Sequence, residues 1–184
     1  MPDDAHIIDA TLTGDREAFG ALVLRYQDRL FTAMMHTIGC REEAEDVVQD
    51  AFVQAFTNLA RFEKKSLFYT WLYRIAHNVR CSRARRKRPK PMGEQATEMA
   101  AQQPAGGPTA SQQAMQSERQ ERLQEALQEL PEDYREILVL RELEQRNYEE
   151  IASILDVPVG TVRSRLHRAR SQLQSILQAR FSEL

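Results

Sequence analysis

The sequence predicts an all-α protein: two small helical domains joined by a flexible linker. Three observations carry this. Apolar residues recur at three- and four-residue steps before Arg80 and again after Glu118, the period of helices that bury one face. Between these stretches, Pro89, Pro91, Pro104 and Pro108 join Gly106-Gly107 and many Gln and Ala in a run without sustained period, the composition of a tether. Near the end, a capped helix, a proline break and an arginine-rich helix follow one another.

Residues 1–18 are short and polar, ending in the Gly14-Asp15 turn and an N-cap. From Ala18 the chain is helical, because Phe19, Leu22, Val23, Tyr26, Leu30, Met34 and Ile38 keep one face until Gly39 stops the run. Glu42 to Phe62 forms a second helix, whose acidic first turn complements the helix dipole. Ala44, Val47, Val48, Ala51, Phe52, Ala55, Phe56 and Leu59 make its core face, with Asp46, Gln49, Asp50 and Val53 opposite. The loop Phe62 to Leu67 leads to a third helix near Phe68, with Leu72, Ile75, Ala76 and Val79 inward.

That third helix crowds Tyr69, Trp71, Tyr73, Arg74 and Asn78 into three turns, then meets a basic block. Seven of the eleven residues from Arg80 to Lys90 are basic and none is acidic. Rings beside cations suit a single-strand surface, since bases stack on rings while cations follow the phosphates. The competing reading places most of these rings in the core, Trp71 among them. Beyond the linker, Leu123, Ala126, Leu127 and Leu130 share a helix face, Pro131 breaks it, and Tyr134, Ile137, Leu138 and Leu140 continue to Leu143. The expected domains are residues 15–90 and 118–181, with the linker at 91–117.

Asn147 with Glu150 forms a capping-box pattern. Ile151, Ala152, Ile154 and Leu155 give an apolar stripe, interrupted at Asp156 to Pro158 because proline disfavours helix in the residue before it. Pro158 suits the opening of the next helix. There Val162, Leu166, Ala169 and Leu173 face inward, leaving Arg163, Ser164, Arg165, His167, Arg168 and Arg170 mostly off the stripe. A helix-turn-helix of this kind lays its second helix in the DNA major groove, where arginine binds guanine bidentately or grips phosphate.

Composition bounds the rest. With 184 residues, 42% hydrophobic, the chain holds one large domain or two small ones. The net charge of −2 argues globally against a nucleic-acid binder, but the segregation of charge reverses that. Acidic residues gather at Glu42-Glu43-Ala44-Glu45-Asp46 and along Glu118 to Glu150, which suggests one interface for DNA and another for a basic protein surface. Two cysteines and no signal peptide point to the cytoplasm. No apolar run approaches the ~20 residues that span a bilayer, so no membrane insertion is expected. His36/Cys40 and His77/Cys81 are each spaced i, i+4, but no tight ligand spacing links the pairs into a Cys2His2 zinc site. No metal or cofactor is expected. Nor is an enzyme, for the chain has no Ser/His/Asp grouping, no phosphate-cradling glycine loop and no carboxylates on a strand scaffold.

Together these segments resemble an extracytoplasmic-function (group 4) sigma factor of the sigma-70 family. Glu45 to Phe52 resembles region 2.2, which docks on the β′ clamp coiled coil of RNA polymerase. Phe68 to Ala76 with Asn78 resembles region 2.3, which opens the −10 promoter element. Leu130-Pro131-Glu132-Asp133, Leu140 to Leu143 and Pro158 to Leu166 resemble region 4, the reader of the −35 element.

The resemblance implies a polymerase-binding set of Asp46, Gln49, Asp50 and Val53. It implies −10 contacts from Phe62, Lys64, Lys65, Ser66, Tyr69, Tyr73 and Asn78, with Arg80 and Arg83 on phosphates upstream. It implies −35 contacts from Arg141, Thr161, Arg163, Ser164, Arg165, His167 and Arg168. The implied partners are core polymerase (β′ clamp helices and β flap), promoter DNA as duplex and melted strand, and an anti-sigma factor of the kind that commonly holds relatives inactive. One departure stands out: relatives usually carry Gly then Asp or Glu in the loop after Phe62, where this chain has Lys64-Lys65. The alternative reading, an autonomous helix-turn-helix regulator, needs an effector or dimerisation domain, whereas residues 19–88 carry an acidic face and an aromatic-basic helix.

Overall fold

A computed structural model describes residues 3–87 and 121–182, and the regular elements among them are all helical. In order they are α1 (Asp4–Leu12), α2 (Ala18–Ile38), α3 (Arg41–Thr57), a 3-10 turn (Leu59–Arg61) and α4 (Phe68–Lys87). After the linker, which lies outside the described residues, come α5 (121–128), α6 (Glu132–Leu138), a π turn (Val139–Leu143), α7 (Tyr148–Leu155) and α8 (Val159–Ser182). None of these helices is long and apolar enough to cross a membrane.

α3 packs against both α2 and α4 in an N-terminal bundle around Leu22, Leu30, Met34, Ala44, Ala51, Leu72 and Ala76, all fully buried. Each large side chain among them contributes about 2 kcal/mol by leaving water. The expected cap before α2 forms: Asp15 Oδ1 accepts from the Glu17 and Ala18 backbone N–H groups. Gly39 ends α2 at φ +82°, and the α5 side chain of Gln128 lies where a Cβ would sit.

Two features depart from the expected pattern. Residues 4–12 form a helix, α1, held by buried Ile7 and Ile8. Its Asp4 carboxylate accepts from Arg25 and from the Tyr26 hydroxyl, whose pKa is pushed up to about 12, first by burial and then by that carboxylate. The second helix stops at Thr57 rather than running to Phe62. At the stop Asn58 donates twice to the Gln54 carbonyl, from its backbone N–H (3.0 Å) and from its side-chain Nδ2 (2.8 Å).

α6, α7 and α8 form a C-terminal unit around Ile137, Leu140, Ile151, Ile154, Val162 and Leu166. The capping box at α7 is complete, with Glu150 N donating to Asn147 Oδ1 (2.8 Å) and Asn147 N donating to Glu150 Oε2 (3.0 Å). Asp156, left-handed at φ +54°, closes α7. The helix expected through Leu143 widens into the π turn, where Glu144 N donates to Val139 O. That turn carries Glu144 and Arg146 onto the N-terminal bundle, as described below.

Asn147→Ala removes half the capping box and is expected to cost about 1 kcal/mol. Leu140→Ala opens a cavity in the C-terminal core and is expected to cost about 2–5 kcal/mol. Urea titration followed by circular dichroism measures both, as lower midpoints.

Candidate nucleic-acid interface

On α8, Arg163, Ser164, His167 and Arg168 are exposed and Thr161 is half-buried. The spacing of the first four puts them on one helix face, turned away from buried Val162, Leu166 and Ala169. Two other expected contacts are engaged inside the protein. Arg165 Nη2 lies 3.0 Å from Asp133, and Arg141 donates to the Arg146 carbonyl (2.8 Å) beside the Tyr148 ring.

α4 presents two stripes. Arg74 and Asn78 are exposed on one, and Trp71 is half-buried beside them, its ring 5.1 Å from that of Phe62 and 5.9 Å from that of Phe68. Lys64, Lys65 and Ser66 are exposed in the adjoining loop. Lys64 sits at φ +56°, the left-handed backbone that glycine favours, at about 1 kcal/mol for a side chain. Its ammonium pairs with Asp9 of α1 at 2.6 Å, while Lys65 pairs with Glu63. The loop therefore keeps a glycine-like turn where the glycine is missing.

The other stripe, Tyr69, Tyr73, His77 and Arg80, faces the C-terminal unit. Sequence reasoning placed Tyr69, Tyr73 and Arg80 against DNA; the structure places all three under the second domain, Tyr69 2% exposed, Tyr73 0% and Arg80 7%.

On α3, Asp46, Gln49 and Val53 are exposed and Asp50 is half-buried. Arg83 of α4 bridges the two acids, with Nη1 2.7 Å from Asp46 and Nη2 2.6 Å from Asp50. The acidic face and the basic block, assigned to different partners from sequence, thus meet through one guanidinium.

The junction between the domains contains side chains that the sequence did not single out. Glu136 Oε2 accepts from Arg80 Nη2 and its Oε1 accepts from His77 Nδ1, each at 2.6 Å; Glu132 also pairs with Arg80. Glu144 accepts from the Tyr69 hydroxyl (3.0 Å) and from Arg29 Nε (3.0 Å). Arg146 donates to Thr70 Oγ1. Burial, followed by the Glu144 carboxylate, pushes the Tyr69 hydroxyl well above the usual phenol range. The last carbonyls of α2 are capped from the other domain, Met35 by Gln124, His36 by Gln128 and Thr37 by Arg135, an answer to the unmet acceptors that every helix end carries. No local pattern announces these residues, since their partners lie 56 to 115 positions away.

Among the described residues no group of three or more His, Cys, Asp or Glu is arranged to hold a metal ion. His36 Nδ1 hydrogen-bonds Gln124 Oε1 and His77 Nδ1 hydrogen-bonds Glu136 Oε1.

A helical bundle with an acidic helix and an aromatic-basic helix, beside a helix-turn-helix unit, is the arrangement expected of a sigma subunit of RNA polymerase. Residues 22–90 match the sigma-70 region 2 family and residues 120–173 match sigma-70 region 4. The chain is 37% identical to the RNA polymerase sigma-H factor of Pseudomonas aeruginosa over 95% of its length and 94% of the relative's. It is 34% identical to the ECF RNA polymerase sigma factor SigW of Bacillus subtilis over 90% and 91%. It superposes on CnrH, solved with the cytosolic domain of CnrY, with a TM-score of 0.69 at 28% identity, covering 96% and 97% of the two chains. It superposes on the sigma factor RpoE of Bartonella quintana, solved with the anti-sigma factor NepR, with a TM-score of 0.67 at 27% identity, covering 87% and 96%. The protein belongs to the extracytoplasmic-function sigma factors of the sigma-70 family.

Cys81 reports on the junction. It lines a cavity walled by His77, Glu136 and Arg165, and burial raises its thiol pKa, whereas Cys40 is exposed. At pH 8 iodoacetamide is expected to label Cys40 ahead of Cys81, because the thiolate is the reactive form. The gap should narrow as pH rises through the Cys81 pKa, as mass spectrometry of the labelled peptides will show.

Proposed function

We propose that this sigma factor acts in the cytoplasm as a non-catalytic subunit that docks on core RNA polymerase through α3, captures melted −10 bases and reads −35 duplex with α8. The carrying observation is that the exposed faces have opposite characters on one chain. Asp46, Gln49, Asp50 and Val53 present acid and one apolar side chain, whereas Arg163, Ser164, His167 and Arg168 present donors. An acidic helix meets a basic polymerase surface, so charge complementarity speeds docking and fixes register. Residues 15–90 form the docking and −10 unit, residues 91–117 the linker and residues 118–181 the −35 unit.

At the −10 element, Phe62, Lys64, Lys65, Ser66 and Asn78 bound an accessible surface around Trp71. Flipping a base costs a few kcal/mol and stacking returns about 1–3 kcal/mol for each captured base. Strand opening therefore needs no catalytic residue. Arg83 serves both faces in turn, releasing Asp46 and Asp50 to polymerase and passing to phosphate. The β flap is the polymerase partner of the C-terminal unit. The structures of CnrH with CnrY and of RpoE with NepR support an anti-sigma factor as a further partner.

In-vitro transcription with purified core polymerase on a promoter library tests this reading. Discrete starts that need both components support it; sequence-specific duplex binding by the protein alone, without core-dependent starts, supports an autonomous regulator instead. Asp46→Arg with Asp50→Arg is expected to weaken core binding while circular dichroism stays native. Arg163→Ala with Ser164→Ala is expected to relax −35 preference by about 1–3 kcal/mol for each lost base contact, read as start-site selection across the library.

A further inference from the structure

The helix that sequence reasoning missed, α1, reaches the loop between Phe62 and Leu67. It is anchored on α2 through Asp4, which accepts from Arg25 and from the Tyr26 hydroxyl, and through buried Ile7 and Ile8. It also packs on the 3-10 turn that leads into the loop. From this fixed base Asp9 extends outward, and its Oδ1 accepts from the Lys64 ammonium at 2.6 Å.

The loop has little else to hold it. Its ends are fixed, with Phe62 N donating to Leu59 O (3.0 Å) and with Thr70 N and Trp71 N donating to Leu67 O (3.0 and 3.3 Å). Between them, among the described residues, no backbone N–H of 63–66 donates to a backbone carbonyl. Lys65 pairs with Glu63 inside the loop. The Asp9–Lys64 pair is therefore the one polar side-chain link from 63–66 to another element among the described residues.

That link falls where the backbone is least favourable, at Lys64 with φ +56°. A side chain disfavours this conformation by roughly fivefold or more in population, and an exposed ion pair returns at most about fivefold. The two effects are of one size, so Asp9 decides how fully the loop keeps its shape. Glycine, usual in this loop among relatives, takes such a backbone freely and needs no brace. The shape matters because telling bases apart requires contact groups held within about 0.5 Å. Here those groups are the exposed Ser66 and Leu67 and the rings of Phe62 and Trp71, whose centroids are 5.1 Å apart.

We propose that Asp9 is a positioning residue for −10 base selection: through Lys64 it holds the Phe62–Leu67 loop in the one shape that discriminates bases, in place of the missing glycine. The −10 reading unit thus includes α1. This inference rests on the sigma-factor reading above.

The test is in-vitro transcription by the full chain with core polymerase, on templates that vary singly at each −10 and each −35 position. Asp9→Asn should lower discrimination among −10 bases by about two- to fivefold and leave −35 discrimination unchanged, while Asp9→Glu should retain most of it. Placed on Lys64→Gly, Asp9→Asn should change nothing further, because the turn no longer needs the brace. A contact that served only phosphate would shift all sequences alike. Unchanged −10 discrimination in Asp9→Asn, a uniform gain or loss at every promoter, or an equal loss in the Lys64→Gly background would overturn the proposal.

Trp71, the single tryptophan of the chain, gives a second readout that needs no polymerase. Acrylamide quenching of its fluorescence should rise in Asp9→Asn and not in Asp9→Glu, and the rise should vanish on Lys64→Gly. If quenching follows that pattern but no core-dependent start appears with wild type, the sigma reading fails and the role in base selection falls with it, while the brace remains. If starts are specific and −10 discrimination ignores Asp9, the sigma reading stands and this inference fails.

Discussion

Two carboxylates that the fold removes from water, Glu136 and Glu144, govern how the rest of the molecule is arranged. An unpaired buried charge costs several kcal/mol, and losing one partner of a buried pair typically costs 3–5 kcal/mol. Both side chains come from the C-terminal domain, and Arg29, Tyr69, His77 and Arg80, which satisfy them, come from the N-terminal bundle. The relative position of the domains follows from that demand. So does the capping of α2 by Gln124, Gln128 and Arg135, and so does the approach that Gly39 permits to Gln128. Arg135 is partly desolvated by the same closure, which lowers its pKa, and four carbonyls and the Gln128 side chain satisfy its donors.

The same junction divides the surfaces by availability. The acidic face of α3, the loop after Phe62 and the outward face of α8 are open, while one whole stripe of α4 is covered. A protein that must grip two distant DNA elements has reason to be compact when idle and extended when working. Buried ion pairs suit such a junction, since they specify one closed geometry yet add little net stability over apolar contact.

Legibility from sequence followed locality. The capping box at Asn147 and Glu150, the break at Pro158 and the inward stripe of α8 were readable because each is set by residues within a turn or two. The two-domain helical layout was readable for the same reason. α1 was missed because nine residues with two adjacent isoleucines give too short a window for a period. The early end of α3 and the π turn are changes of hydrogen-bond register that apolar spacing does not encode. The crowding of Tyr69, Trp71 and Tyr73 signalled a special helix but not which stripe faces which partner. Glu136 lies between Arg135 and Ile137 and reads as ordinary helix surface; only its contacts 56 and 59 residues away show its role.

The separation of the two domains, free and at work, is the most direct test of this account. Fluorophores placed on α4 near Asn78 and on α8 near Gln174, with both native cysteines replaced, would report that distance by energy transfer. The account predicts high transfer in the free protein and its loss when core polymerase and promoter DNA are both present, in keeping with a span of ~85 Å between the elements read. Transfer that stays high in the promoter complex, while start sites remain specific, would contradict it.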